Sequence, residues 1–297
     1  MERTKKALMI INPHAGKMEI FKKLGEMTEL FHKNGYKLDI RLGALRGDAG
    51  EIVKRNLKGF DQVICCGGDG TLNEVINGMM ECDKKLPIGY IPCGTTNDFA
   101  MSIGLPKTIM AAAKNIINGS PMPIDIGSFG DRYFSYVASF GAFTQSSYTT
   151  PQNMKNMFGH FAYVLEGMKE IPYLKPTVMS VTADDGTVYS DKYILGAITN
   201  TKSIGGIIKL KDAQIDLSDG MFEILLIRFP ENIMELNKTI VALNADSFND
   251  PSISYFRARE VTVQSEENVM WSLDGEGHEA QKTEVVKNHN KVVDIIL

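Results

Sequence analysis

Gln62-Val-Ile-Cys-Cys-Gly-Gly-Asp-Gly-Thr-Leu-Asn-Glu-Val75 is the stretch whose reading decides the fold. Residues 63–66 form a short apolar run, β-branched at its front, and read as a buried strand. Leu72, Val75, Ile76 and Met79 recur at i, i+3, i+4 and i+7, one apolar face of a helix. Gly67-Gly68-Asp69-Gly70-Thr71 joins the two. Three glycines in four residues let the backbone turn sharply and approach a ligand with no Cβ in the way. A strand passing through such a loop into a helix presents N–H groups and the positive end of the helix dipole, which is a phosphate cradle. An ordinary Asp-Gly turn accounts equally well for the loop taken alone, so the weight falls on its company.

On the N-terminal side, residues 7–11 predict a buried strand closed by Asn12-Pro13-His14-Ala15-Gly16-Lys17. Ile20, Phe21, Leu24, Met27, Leu30 and Phe31 share a helical face that Asn34-Gly35 stops. Tyr36, Leu38, Ile40 and Leu42 alternate with Lys37, Asp39 and Arg41, as in a half-exposed strand at or near an edge. Asp48 and Glu51 resemble a capping pair ahead of a second helix. On the C-terminal side, a strand over 87–93 ends in Gly94-Thr95-Thr96-Asn97-Asp98, and two helical stretches lead to Pro123-Ile-Asp-Ile126. Strand and helix alternating at this rhythm predict a mostly parallel sheet covered on both faces. Ligands of such sheets sit at the carboxyl ends of strands, where both glycine-containing loops fall.

The character changes near Gly127. From Arg132 onward short β-like runs dominate, at 133–143, 178–183, 193–199, 222–227, 260–264 and 292–296, with Asp184-Asp-Gly186 as a hairpin turn. Helical stretches interrupt over about 154–169 and 233–243. The expected fold is therefore an α/β domain, residues 1–128, followed by a mainly antiparallel β-sandwich domain, residues 129–297, with a soft boundary at about 126–132.

Composition narrows the function classes. Of 297 residues, 43% are hydrophobic and 23% charged, as in a soluble globular protein. A net charge of −4 gives no general reason to expect nucleic acid. The four cysteines show no CxxC pair and no histidine at zinc-like spacing, which points to reduced, packed thiols and a cytoplasmic setting. The five histidines are scattered. No apolar run is long enough for a signal peptide or a transmembrane segment, so membrane contact is expected to be peripheral. Nothing in the composition opposes an oligomer.

Asn12-Pro13 with Gly16, Gly67-Gly-Asp-Gly-Thr-Leu-Asn-Glu74, Gly94-Thr-Thr-Asn-Asp-Phe-Ala100, Ile124-Asp-Ile-Gly127 and Asp274-Gly-Glu276 together resemble a known family. It is that of the lipid kinases with a diacylglycerol-kinase catalytic domain, which includes bacterial diacylglycerol kinases and the sphingosine and ceramide kinases. The motifs come in the family's order. GGDGT is shared with NAD kinases, whereas GTTNDFA is the more discriminating piece. The resemblance implies ATP as donor, Mg²⁺, and a lipid hydroxyl as acceptor, most readily that of diacylglycerol. It also implies a lipid partner met at a membrane surface, and a nucleotide in the cleft between the two domains.

The residues agree with phosphoryl transfer, which asks for positioning, charge neutralisation and a proton acceptor. Gly67, Gly68, Gly70 and Thr71, with Glu74 in the same motif, offer a cradle for phosphate oxygens. Asp69, Asp98 and Asp125 fall at the ends of three predicted strands, which predicts a cluster on one rim suited to Mg²⁺. Turn formation or helix capping competes for Asp69, and N-capping competes for Asp98. Asp125, flanked by two isoleucines, needs a partner or a ligand. Asn12, Gly16 and Lys17 are expected to form a second wall of the site, with Lys17 on phosphate or simply in solvent. Thr95 and Asn97 are expected to bond the nucleotide or their own turn.

Asp274-Gly275 has hairpin-turn chemistry. The resemblance implies that Asp274 is the general base, with Glu276 supporting it, and that Asp219 corresponds to a structural metal position. The stripe on the 154–169 helix, among sixteen methionines, suits core packing better than an acyl-chain groove. Two rivals stand beside the lipid kinase: an NAD kinase-like phosphotransferase on a soluble alcohol, and a nucleotide-sensing regulator that does not turn over.

Overall fold

The computed structural model describes residues 4–16, 18–141, 175–201, 203–204, 208–209, 216–245 and 248–297. Lys17 and the helix expected over 154–169 lie outside the described residues. The chain forms two compact units. The first comprises Met1–Ile126, Arg132–Ser135 and His289–Leu297, and the second Gly127–Asp131 and Tyr136–Asn288.

In the first unit the elements run β1 (Lys5–Ile11), α1 (Glu19–Lys33), β2 (Tyr36–Leu42), α2 (Asp48–Asn56), β3 (Gln62–Gly67), α3 (Asp69–Met80), β4 (Ile88–Pro92), α4 (Asp98–Ser102), α5 (Ile109–Asn118), β5 (Pro121–Phe129) and β6 (Arg132–Phe134). β2, β1, β3 and β4 lie side by side, all parallel, and the end of β17 (Thr283–Ile296) continues the sheet beside β4 through Ile295 and Ile88. The last residues are bound in twice, because Ser120 and Leu297 exchange both backbone hydrogen bonds. β2 is the edge and is largely exposed over its second half, as its alternation predicts.

Ala7, Met9, Ile11, Ile64, Cys66 and Ile91 pack with Ile20, Met27 and Phe31 of α1 and Ala112, Ala113 and Ile116 of α5. Their neighbours in sequence, Leu8, Ile10, Val63, Cys65, Ile88 and Tyr90, point to the opposite face and are equally buried. There α2 and α3 pack on each other and on β1 and β3. Both faces are thus covered, which explains why β3 and β4 are buried at every position.

The expected Asp48–Glu51 capping pair does not form. Gly47, at φ 87°, takes the N-cap position of α2, so Asp48 falls inside the helix. Its Oδ2 turns back to accept the amides of Ala44 and Leu45 at 3.1 and 2.8 Å.

The second unit is antiparallel. β7 (Val137–Gly141) and β8 (Thr177–Ala183) both pair with the long β9 (Val188–Thr199), and β10 (Ser203–Ile204) and β11 (Ile208–Lys209) make a small ribbon. β12 (Phe222–Arg228) lies between β9 and β13 (Ile253–Ala258), with α6 (Ile233–Asn244) before β13. β14 (Glu260–Gln264) joins β8 to the first half of β17, and β15 (Val269–Leu273) joins β7 to β16 (Glu276–Ala280). The 184–186 hairpin is present, with Gly186 at φ 85° and the Ala183 amide donating to the Thr187 carbonyl at 2.9 Å. Trp271 anchors this core between Phe129 and Phe140, with ring centroids 4.6 and 4.8 Å away. Each such aromatic pair contributes about 0.5–1.5 kcal/mol beyond its buried area. Among the described residues no helix is long and apolar enough to cross a membrane.

Candidate active site

Three strand ends of the first unit are stitched together at one rim. The Asn12 amide donates to the Cys66 carbonyl at 2.9 Å, and the Cys93 amide to the Gly67 carbonyl at 2.7 Å. The Asn12 side chain reaches across to Thr71, its Nδ2 donating to Oγ1 at 3.0 Å, while its Oδ1 accepts the His14 amide at 2.9 Å. The loop after β1 is therefore tied to the GGDGT loop through Asn12. A Cβ on Gly16, at φ 56°, would stand 2.3 Å from the Cys93 carbonyl oxygen.

The two glycine-containing loops touch backbone to backbone. A Cβ on Gly94 would fall 2.6 Å from the Gly68 Cα, so only glycine fits this crossing. Gly68 is also the N-cap of α3 and supplies no capping side chain. Gly67, Gly68, Gly70 and Thr71 thus lie at or beside the start of a helix of 12 residues whose dipole favours an anion.

Asp69 occupies the first position of α3 but serves the other loop. Its Oδ2 accepts the Asp98 amide at 2.9 Å and its Oδ1 the Phe99 amide at 3.3 Å, so it holds the first turn of α4. Asp98 does not cap α4. The N-cap is Asn97, at φ 52°, which bonds its own turn: Oδ1 accepts the Gly94 amide and Nδ2 donates to the Gly94 carbonyl, both at 2.8 Å. Thr95 is exposed on the same loop.

Two expected site residues are engaged elsewhere. Both carboxylate oxygens of Glu74 face the start of α2, accepting the Gly47 amide at 2.7 Å and the Ala49 amide at 3.2 Å. The sequence offered no signal for that, because the partner lies 25–27 positions upstream. Asp125 is wholly buried, and its Oδ1 accepts from Asn290 Nδ2 at 2.9 Å and from the Lys291 amide at 2.8 Å. It had to be paired or liganding, and it is paired, with a bend of β17 where Lys291 has φ 55°. Among the described residues no three carboxylates, histidines or cysteines converge as a metal cluster, so Asp69, Asp98 and Asp125 are not a triad.

In the second unit Asp274 and Gly275 form the two-residue turn between β15 and β16, both with positive φ, 51° and 89°. Such turns match the twist of the flanking strands. Asp274 is nonetheless buried, and its Oδ1 accepts the amides of Tyr136 and Val137, each at 3.0 Å. Its own amide donates to the Val137 carbonyl at 2.9 Å. The hairpin-turn reading of Asp274 is realised, and its carboxylate is held by backbone amides as well. Glu276 follows, half-buried at the start of β16. Asp219 has a cation of its own: it pairs with the Arg257 guanidinium, which also meets Glu223 at 3.2 Å, and its Oδ1 accepts the Met221 amide. A fixed positive charge already stands where a structural metal was expected.

All four cysteines are free thiols. Burial raises Cys65 and Cys66 well above the ordinary thiol range and pushes Cys93 up to about 12, so none of these three is a thiolate nucleophile.

Comparison with known proteins agrees with this layout. Residues 6–129 match the profile of the diacylglycerol kinase catalytic domain, and residues 138–295 that of the YegS C-terminal NAD kinase beta sandwich-like domain. A diacylglycerol kinase of Bacillus subtilis (strain 168) is 38% identical over 275 residues, covering 92% of this chain and 90% of its own. One from Staphylococcus saprophyticus is 36% identical over 276 residues, covering 92% and 89%. A crystal structure from Bacillus anthracis str. Sterne, presented as a candidate diacylglycerol kinase, has a TM-score of 0.82 at 22% identity, covering 100% of this chain and 98% of that one. An α/β part followed by a sandwich-like antiparallel part is the architecture expected from the sequence.

Proposed function

Because the chain belongs to the diacylglycerol kinase family, we propose that it transfers the γ-phosphoryl group of ATP to a lipid hydroxyl, diacylglycerol being the first candidate. The observation that carries the nucleotide half is the backbone crossing of Gly68 and Gly94, with Asp69 tying the second loop to the start of α3. That crossing leaves a side-chain-free surface beside a helix N-terminus, which suits phosphate oxygens.

Asp69 and Asp98 fit Mg²⁺, which takes one or two carboxylates and completes its shell with phosphate oxygens and water. Asp69 and Asp98 would hold such an ion, which would supply neutralisation of the phosphate charge. Asp69 keeps the two loops in register, and Asn12 with Thr71 fixes the wall beside them. Asp274 accepts the proton as the lipid oxygen forms its bond to phosphorus and the bond to the ADP oxygen breaks. The Tyr136 and Val137 amides hold its carboxylate in place for that step. Asp125, Glu74 and Asp219 serve the framework in this reading. The lipid is met by transient peripheral contact with a membrane surface.

The profile naming an NAD kinase sandwich keeps a soluble alcohol acceptor as the second reading. Labelled ATP offered with diacylglycerol and other hydroxyl lipids in mixed micelles, and with NAD in parallel, separates the two. Label is expected in the lipid phase, and dependent on Mg²⁺. Equal or greater turnover of NAD, with no response to lipid vesicles, decides for the soluble acceptor.

A further inference from the structure

The parallel sheet has an open edge at β2. Among the described residues β2 pairs with β1 alone, and its Ile40 and Leu42 are 37% and 55% exposed. The bonds to β1 fix which backbone groups remain open. The Lys5 amide donates to the Gly35 carbonyl and the Gly43 amide to the Ile11 carbonyl, both at 3.0 Å. Residues 35, 37, 39, 41 and 43 therefore turn their backbone groups toward β1, while Leu38, Ile40 and Leu42 turn theirs to the free side. Such an edge is a template for another strand unless charge repels it. β2 carries both signs. Asp39 and Arg41 stand on the face opposite Ile40 and bond each other at 2.7 and 3.2 Å, their side chains 39% and 50% exposed.

We propose that this edge receives β2 of a second copy of the chain, antiparallel, about a two-fold axis at Ile40. In that register Ile40 faces Ile40, Leu38 faces Leu42, and Asp39 faces Arg41 of the second copy. Residues with open backbone groups then fall opposite one another and exchange both hydrogen bonds. Leu38, Ile40 and Leu42 are registered against Ala7, Met9 and Ile11, which pack under α1 and α5, so the apolar row continues into the second copy. Other axes match less well. At Asp39, Asp39 meets itself and Lys37 meets Arg41. At Arg41, that cation meets itself. At Leu38, Lys37 meets Asp39, but the exposed Leu42 is left opposite Asn34, outside the strand. At Leu42, both charges face residues of the following loop. An axis between two residues sets open backbone groups against groups already bonded to β1.

Sedimentation equilibrium of the full chain should return twice the mass of one chain. Asp39→Arg alone, and Arg41→Asp alone, each set like charges opposite at two places and should weaken association about 10-fold or more. Mixed in equal amounts, the two variants should regain a dimer holding one chain of each, because every opposed pair is then of opposite sign. Both side chains are exposed, so each variant should melt within a few degrees of the parent. The double variant Asp39→Arg/Arg41→Asp should pair with itself and not with the parent, which decides the register even if a single variant misfolds. A monomeric parent overturns the inference. So does a dimer that both single substitutions leave intact, a loss that mixing does not restore, or free exchange between the double variant and the parent.

Discussion

Asp69 opens a helix beside two glycine loops, and Asp274 opens a hairpin turn between two strands. Each carboxylate accepts two backbone amides from a different segment, yet the arrangements differ. Asp69 uses one oxygen for each amide, is only half-buried, and has ordinary helical backbone. Asp274 collects both amides on a single oxygen, is 3% exposed, and stands in the left-handed region at φ 51°. A group that helps carry a cation and phosphates needs room to adjust. A group that takes a proton at one point of a reaction needs a fixed position more than room. The first arrangement suits the former task, and the second the latter.

The sharpest way to break that contrast is Asp274→Asn. Asparagine tolerates the left-handed region, and its Oδ1 can still accept from Tyr136 and Val137, so the turn should survive. What is lost is the proton acceptor, and positioned proton transfer is worth about 10²- to 10⁴-fold. Single-turnover transfer should fall by that order while ATP affinity stays near the parent value. If the variant binds ATP normally and phosphorylates lipid at the parent rate, Asp274 is a turn residue only.

Asp69→Asn probes the other side, and both its effects should be mixed. One amide of α4 would face an NH₂ group instead of an oxygen, so some thermal stability goes, about 1–3 kcal/mol. Transfer should drop about 10²-fold, as when other charge-stabilising groups are removed. A titration in Mg²⁺ separates the two, because a metal role shifts the requirement upward whereas a loop role alone does not. Near-parental activity at saturating Mg²⁺ refutes the assignment.

How much of this the chain announces depends on the range over which each group acts. The β1–β4 alternation, the GGDGT loop and the 184–186 hairpin are local patterns, and they stand where periodicity and turn chemistry put them. The return of His289–Leu297 to the first unit is not local, because Val292 to Ile296 reads as a strand without saying which sheet it joins. The same holds for the side chains. Placing Asp69, Asp98 and Asp125 at strand ends suggests one rim, but the partner of Asp125 lies 165 positions away, in a bend of β17. Glu74 sits inside a phosphate-loop motif and yet is drawn to α2, because an uncapped helix start lies within reach. Motifs mark where a site is. They do not say which of their polar groups are needed to hold it together.

Asp125→Ala carries that point to a measurement. It removes the acceptor of the Asn290 Nδ2 and of the Lys291 N–H at a part-buried bend, and should cost about 1–3 kcal/mol. Activity per folded molecule and the Mg²⁺ requirement should stay within a few-fold of the parent below the melting transition. A raised Mg²⁺ requirement at unchanged melting temperature would instead return Asp125 to the metal.

The smallest effect concerns Glu223, a carboxylate whose partner is a side chain instead of two amides. It is 2% exposed, faces Arg257 through one oxygen, and leaves Oε2 with no hydrogen-bond partner among the described residues. Burial lifts its pKa to about 7; the Arg257 guanidinium opposes the lift and the Asp219 carboxylate adds to it. A carboxyl raised above its unfolded value of 4.5 binds more protons in the folded state. Its stabilising contribution is therefore complete below pH 4.5 and is lost as pH rises through about 7. Glu223→Gln removes the titration, so the variant should gain on the parent between pH 5 and pH 8. After allowance for relaxation around the charge the gain should be about 1 kcal/mol, or roughly 2–4 °C in melting temperature. Comparing the two pH values cancels any constant cost of the amide. If the gap between variant and parent is flat across that range, Glu223 is held as an anion by Arg257, and it joins Asp69 and Asp274 as a carboxylate whose charge the fold accommodates.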